Sequence, residues 1–223
     1  YQTAFYHLGG GQPADYGVLN WDGGKAYVND VRKKNRIRHF IDGDSPEVGV
    51  QVEGEIDWTR RYSHMRMHTS QHLVSAVVNE LYNSDTVGNQ IGAENSRIDF
   101  KPLSISQSEI QHIQEIVNDY VSKDLKVNIS EELRLNLENN KDIRSSMSSG
   151  LWKTLPANVK KLRVISIGDI DVCPCAGTHV RSLKEIGEVE FIKKKNKGSQ
   201  RTRLTYKLNN FNLLKAFISI EVS

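Results

Sequence analysis

Four residues stand out for the chemistry that their types and spacing allow. His68 and His72 lie in "MHTSQHLVSAVV", Met67 to Val78, and Cys175 and His179 lie in "CPCAGTHV", Cys173 to Val180. Histidines four apart on a helix share one face, with Cβ atoms about 5–6 Å apart, so both imidazoles can reach one ion. Such a pair is also common on ordinary surfaces and in cores, and alone it proves little. Cys175 and His179 repeat the separation inside a Gly-Thr turn and add a thiolate and an imidazole, the donors zinc prefers. Together they form a Cys-His₃ set from two segments about a hundred residues apart. Iron and copper remain open, but a mixed nitrogen and sulfur tetrahedron suits zinc best.

The neighbours exclude several zinc chemistries. A zincin protease needs Glu directly after its first histidine, and Thr69 stands there. A nucleobase deaminase needs HxE and PCxxC, and neither is complete. No CxxC pair is present for a classical finger. What is left is a structural zinc or a hydrolytic one whose base is not an adjacent carboxylate.

Composition sets the frame in which these segments must meet. At 223 residues with 38% hydrophobic content, the chain is long enough for one large or two modest domains with a real core. No apolar run approaches the roughly 20 residues that span a bilayer, and no secretory signal opens the chain, so the cytoplasm is the expected location. The chain starts at Tyr1 rather than Met, which reads as a start inside a longer polypeptide. Its two cysteines, one residue apart, are too few for a disulfide framework and point to a reducing compartment. The net charge of +3 is mild but unevenly spread. Arg32, Lys33 and Lys34 open one basic run, and Lys193, Lys194, Lys195 and Arg201 belong to another. Each run is either a solvated hairpin face or a phosphate-binding patch. Nothing points to a membrane or a protein partner.

The elements that must position the four residues divide the chain near residue 60. Residues 1–60 carry short alternating runs between "WDGG", "DGDSP" and "EG" turns, which predicts a small β-barrel or meander. Its opening, "GGGQPADYG" from Gly9 to Gly17, is neither a dinucleotide-binding nor a P-loop motif and reads as a tight connection between strands. Residues 61–223 alternate helices and strands, an α+β pattern. An amphipathic helix runs from about Tyr62 to Tyr82–Asp85, and a second lies in "SISQSEIQHIQEIVNDYVSKDL", Ser104 to Leu125, with Ser106 or Ser108 as its cap. Ile110, Ile113, Ile116, Val117 and Val121 form the buried stripe of that second helix. Strands are predicted at Arg97–Phe100, Lys126–Ile129, Arg163–Ile167, Gly187–Lys193 and Arg203–Leu208. A short helix and polar loop between Glu131 and Pro156, and a closing helix or strand after Asn209, complete the reading.

"RRYSHMRMHTSQH", "DVCPCAGTHV" and "GGGQPADYG" together closely resemble the AlaX family of free-standing trans-editing proteins, related to the editing domain of alanyl-tRNA synthetase. The likeness runs from Gly9 to about Leu208, and the glycine-rich opening matches the medium-length branch. It implies a small N-terminal β-barrel followed by an α+β editing domain of the threonyl- and alanyl-tRNA synthetase type. It further implies zinc on His68, His72, Cys175 and His179, and hydrolysis of serine, and also glycine, from mischarged tRNA(Ala), sparing Ala-tRNA(Ala). Gln90 resembles a pocket glutamine of the family. Thr69, Gln71 and Thr86 are further candidates for contacting the substrate, with Gly9, Gly10 and Gly11 as a wall that excludes a methyl group. The acceptor end of the tRNA is the implied partner, and the two basic runs become candidates for holding its phosphates. Two departures are visible: Cys173 stands where relatives often carry Gln and reads as a bystander thiol, and Gln71 stands where many have a small or aliphatic residue. Two rivals remain: a zinc-stabilised RNA-binding module without activity, and a threonyl-type editing domain, whose usual Cys-Arg-Gly-Pro-His differs from the sequence between Cys175 and His179.

Overall fold

A computed structural model describes residues 3–139 and 158–209. The short helix and loop expected before Pro156 fall mainly, and the closing element after Asn209 wholly, outside the described residues. Three antiparallel sheets and three α-helices make up the rest, a mixed arrangement consistent with α+β.

The N-terminal strands are β1 (Gly17–Trp21), β2 (Gly24–Lys33), β3 (Ile37–Gly43) and β4 (Glu53–Ile56). They pair in the order β3-β2-β1-β4, which leaves β3 and β4 as edges. The expected barrel is therefore an open four-stranded sheet among the described residues. Closure depends on pairing between the first and last strands, which alternation within each strand does not encode. A bulge between Val28 and Asp30 shifts the parity of β2, so Ala26, Val28 and Val31 all point inward. Val28 and Val31 pack with Phe5 and Ala14 in a small cluster of their own.

Helix α1 (Trp58–Tyr82) is the axis of the molecule. Asp57 caps it by accepting from the Arg60 amide, and Asn83 ends it in the left-handed region with φ 48°. The sequence suggests an amphipathic helix, but every residue from Met67 to Val78 is buried. A helix enclosed on all sides is ordinarily apolar throughout; here His68, Thr69, Ser70, Gln71, His72 and Ser75 lie within the buried run. Buried polar groups need partners, so this segment demands a polar site inside the fold.

Strands β5 (Asp85–Gln90) and β6 (Asn95–Lys101) join β10 (Val189–Asn196) and β11 (Thr202–Leu208) in the order β10-β11-β6-β5. Helix α2 (Gln107–Ser122) begins with a capping box between Ser106 and Glu109, and it buries Ile110, Ile113, Val117 and Val121, while Ile116 is partly covered. The third sheet, β7-β8-β9, comprises Val127–Leu133, Lys161–Ile167 and Asp171–Pro174, with α3 (Arg134–Asn139) after β7. The two larger elements of the main core, α1 and α2, share it with Ile98, Phe100, Leu204 and Tyr206 from the second sheet.

The N-terminal segment is tied to α1 by a buried ion pair. Arg61 Nε donates to Asp15 Oδ1 at 3.0 Å, its Nη2 donates to the Ala4 carbonyl at 2.7 Å, and the Tyr6 amide donates to Asp15 Oδ2 at 2.6 Å. Gly9 and Gln12 exchange backbone hydrogen bonds around Gly10 and Gly11, whose φ values of +59° and +82° define a mirror-image hairpin turn. The Gly11 carbonyl accepts from the Ile91 amide at 2.8 Å, so the turn rests against the end of β5.

Candidate metal centre

His68 and His72 project from the middle of α1, and the segment from Cys175 to His179 leaves the end of β9 to meet them. Arg163 on β8 shapes that segment: its Nη1 donates to the Cys175 carbonyl at 2.6 Å and to the Gly177 carbonyl at 2.8 Å. Gly177 fits because it has no side chain. A Cβ there would lie 2.0 Å from His68 Cε1 and 2.3 Å from its Nδ1. The turn can therefore lie directly on the first imidazole.

One ligand atom from each of His68, His72, Cys175 and His179 falls within 4.8 Å of the other three. Cys175 Sγ is 3.5 Å from His68 Nε2 and 3.4 Å from His179 Nε2. Zinc bonds of about 2.3 Å to sulfur and 2.0–2.1 Å to nitrogen, at tetrahedral angles, place sulfur and nitrogen about 3.5 Å apart. The two sulfur–nitrogen spacings thus fit edges of a zinc tetrahedron.

The other ring nitrogens are already engaged. His68 Nδ1 is 2.8 Å from Gln12 Oε1, His72 Nδ1 is 2.9 Å from Asp171 Oδ2, and His179 Nδ1 is 3.1 Å from Thr69 Oγ1. Asp171 as a carboxylate can only accept, and Thr69 Oγ1 also accepts from the Val180 amide at 3.2 Å. These partners favour Nδ1–H tautomers and leave the Nε2 atoms to face the centre, the arrangement that orients metal-binding histidines.

The charges agree with a cation. Burial opposes ionisation of Cys175, yet His68 and hydrogen bonds from the surrounding imidazoles hold its thiol well below the ordinary range. Burial also opposes a charge on His72, but Asp171 and Cys175 override it and push that ring up to about 10. Burial, followed by the charge of His68, holds His179 down to about 3. A buried thiolate and carboxylate therefore draw positive charge into the site, which a divalent ion supplies while leaving every imidazole neutral.

Residues 162–205, which span the Cys175–His179 turn, match the threonyl and alanyl tRNA synthetase second additional domain. The chain is 35% identical to the alanyl-tRNA editing protein AlaX-M of Methanosarcina barkeri, over 93% of this chain and 86% of the relative. The chain belongs to the AlaX family of alanyl-tRNA editing proteins. It is also 35% identical to AlaX-L of Pyrococcus horikoshii over 92% of this chain, although it spans only 50% of that protein. With the alanine–tRNA ligase of Pyrobaculum neutrophilum it shares 36% identity over 86% of this chain and 22% of the ligase.

Against this AlaX background, the other sequence candidates separate into distinct places. Thr69 supports His179, as described, and is buried. Gln71 Nε2 donates to Ser75 Oγ at 2.8 Å, and Thr86 Oγ1 donates to the same oxygen at 2.7 Å. Gln90 does not join this network. It is exposed and pairs with the exposed Arg97, whereas Asn89 pairs with the buried Ile98 and places its Nδ2 3.3 Å from Gln71 Oε1 and 3.4 Å from the Gly10 carbonyl. A bulge between Thr86 and Gly88 reverses the alternation that would otherwise put Gln90 on the face of Thr86. Gly9, Gly10 and Gly11 form the turn beside Asn89, and a Cβ on Gly11 would meet Asn89 Oδ1 at 2.0 Å.

The basic residues divide in the same way. Lys193 and Lys195 are exposed and share the outer face of the second sheet with Arg97 and Arg203. Lys194 points to the opposite face, where its Nζ donates to the Ile105 carbonyl. Arg201 is paired with Asp99 at 2.6 Å. Arg32 pairs with Asp30, and Lys33 and Lys34 are exposed at the tip of the β2–β3 hairpin. Cys173 lies outside the four-residue cluster, and its thiol approaches the Pro174 carbonyl at 3.6 Å. Gln12, Asn89, Arg163 and Asp171 are the site residues that sequence reasoning misses. The position of Asp171, four before Cys175, was the one available signal.

Two expectations follow from this geometry. Gly177→Ala is expected to displace His68 and to lower the affinity of the cluster for a divalent metal by about 10–100-fold, the scale of disturbed ligand orientation, as read by chelator competition. His64, one turn before His68, is buried with Nδ1 unpartnered, and burial followed by Arg60 holds it down to about 4. Its folded value lies below the unfolded 6.5, so the neutral ring favours folding above 6.5 and this contribution is lost as pH falls toward 4. Urea unfolding should show wild type losing about 2 kcal/mol more than His64→Leu between about pH 7 and pH 5.

Proposed function

We propose that this protein is a trans-acting aminoacyl-tRNA deacylase that hydrolyses the ester of Ser-tRNA(Ala), and of Gly-tRNA(Ala), while sparing Ala-tRNA(Ala). The observation that carries this reading is the Cys-His₃ cluster anchored on α1, the helix from which Gln71 and Ser75 begin a hydroxyl and amide network that reaches Thr86 and Asn89 of β5. Residues 1–60 act as a unit that adds the glycine turn to this site, and residues 61–223 carry the ligands. The protein works in the cytoplasm on the acceptor end of its tRNA.

Zinc is the proposed metal on His68, His72, Cys175 and His179, and when bound it supplies Lewis-acid activation for ester hydrolysis. The residues around it hold and select the substrate. Asn89 is the member of the network with the least complete bonding, since both of its contacts exceed the usual 3.2 Å for a nitrogen donor. A serine hydroxyl accepted there gains a partner, whereas alanine leaves the amide as it was. Gln71, Ser75 and Thr86 fix the amide's surroundings, and the Gly9–Gln12 turn closes the far side. Lys193, Lys195 and Arg97 offer unshared cations on one sheet face for phosphates of the acceptor stem.

The test is release of labelled serine from Ser-tRNA(Ala), beside Ala-tRNA(Ala), with and without a chelator. Serine release that stops on chelation and returns with zinc is expected, with alanine retained. A protein that binds zinc and RNA but releases neither amino acid would be a binding module instead. Asn89→Ala should lower kcat/KM for Ser-tRNA(Ala) by about 10-fold, the worth of one half-buried polar contact, with zinc content unchanged. A larger fall in Gln90→Ala would return that role to Gln90.

A further inference from the structure

Gln12 is fully buried, and its side chain makes three hydrogen bonds, all to the segments that carry the metal ligands. Its Oε1 accepts from His68 Nδ1 at 2.8 Å and from the Thr178 amide at 3.1 Å. Its Nε2 donates to Thr178 Oγ1 at 2.8 Å. Thr178 precedes His179 and follows Gly177, whose absent side chain is what lets the turn touch His68. One amide from the N-terminal segment therefore bridges α1 and the Cys175–His179 turn.

We infer that Gln12 is a positioning residue for the metal, fixing His68 with its proton on Nδ1 and holding the cysteine-histidine turn at the matching distance. The inference rests on the proposed reading of the cluster as a zinc site. The hydrogen-bond chemistry defines the direction of each contact. A backbone N–H can only donate, so the Gln12 atom facing the Thr178 amide is the oxygen. That same oxygen faces His68, so the imidazole must donate from Nδ1 and present Nε2 as the basic nitrogen.

Gln12 is held firmly enough to impose this. The Gly10–Gly11 turn closes on it through the paired backbone bonds with Gly9, the Gly11 carbonyl is bound by Ile91, and three residues later Asp15 is bound by Arg61. Flipping its amide would set Nε2 against the Thr178 amide, a donor against a donor, and lose that bond. The glycine-rich turn thus delivers a buried acceptor to the first ligand, in addition to forming a wall beside Asn89.

The test uses the full chain and zinc alone, by competition against a chromophoric chelator, with cobalt absorption as a second readout of ligand geometry. Gln12→Met keeps the length but removes the acceptor, and Gln12→Asn withdraws it by one methylene. Both are expected to weaken zinc binding by about 10–100-fold, the usual scale for outer partners of a ligand. Gln12→Glu keeps the acceptor toward both His68 and the Thr178 amide, while the Thr178 hydroxyl turns to donate, so it is expected to restore affinity and the cobalt spectrum. Wild-type affinity in Gln12→Asn, or a Gln12→Glu variant as weak as Gln12→Met, would overturn the inference and leave Gln12 as a tie between segments. If Gln12→Met does not fold, the Asn and Glu pair still decides. A wild-type protein that takes up no zinc would instead refute the metal reading, before any variant is compared.

Discussion

The interior of this protein gathers charged and polar groups at one point: the Cys175 thiol, which the imidazoles around it hold well below its ordinary range, and the Asp171 carboxyl bonded to His72. An unpaired charge at such depth costs several kcal/mol even after the surroundings relax. The fold answers by converging three imidazoles and one sulfur on a single point and giving each imidazole a defined partner on its outer nitrogen. The enclosure of α1, the bare Gly177 and the Arg163 clamp on the turn all serve that convergence. A helix with six polar residues inside its buried run would be unstable as a packing element alone, and it becomes workable because the polar residues bond to one another and to the centre.

The two halves of the molecule are interdependent for a related reason. Around Phe5, Ala14, Val28 and Val31 the N-terminal core is small, and a unit of about 60 residues gains little stability from such a cluster. It is fastened by Asp15 to Arg61, by Gly11 to Ile91 and by Gln12 to His68 and Thr178. The ties from Gln12 and Gly11 end on or beside residues of the site, and the tie from Asp15 ends on the helix that carries His68 and His72. Packing of the sheet and assembly of the site therefore reinforce each other, and the glycine turn occupies its position because three separate polar contacts require it there.

What could be read from the sequence follows from what is local. The i,i+4 spacing of His68 and His72, and the compact Cys175–His179 turn, are local patterns, and the structure brings all four side chains together. The cap at Ser106 and strands β6, β7, β8, β10 and β11 are legible for the same reason, whereas β1, β5 and β9 are not. Other features depend on pairing. The bulge that turns Asn89 inward and Gln90 outward, the open edges of the first sheet, and the inward face of Lys194 are properties of registers between strands. Gln12 was hidden differently: between glycines and a proline, a glutamine carries no periodic signal, and only the tertiary contact reveals its use. The amphipathic reading of α1 failed because burial on all sides makes polar residues look like a solvent face when in fact they line a site.

On the proposed reading, selectivity would follow from how donors are distributed in the network that Gln71 and Ser75 begin on α1. Ser75 Oγ receives from both Gln71 and Thr86, so its acceptor capacity is taken up. Gln71 has then committed its Nε2 to Ser75, and its Oε1 faces Asn89 at 3.3 Å. The chain of donors ends at the Asn89 amide, stretched between Gln71 and the Gly10 carbonyl with neither contact short. A small hydroxyl is the group best suited to enter there, because it can accept from Nδ2 and donate to the Gly10 carbonyl in the same position. A methyl group can do neither and leaves the amide with its two long contacts. On the proposed reading, such a site would favour serine by the partner its amide gains from the hydroxyl, without needing to measure a single carbon.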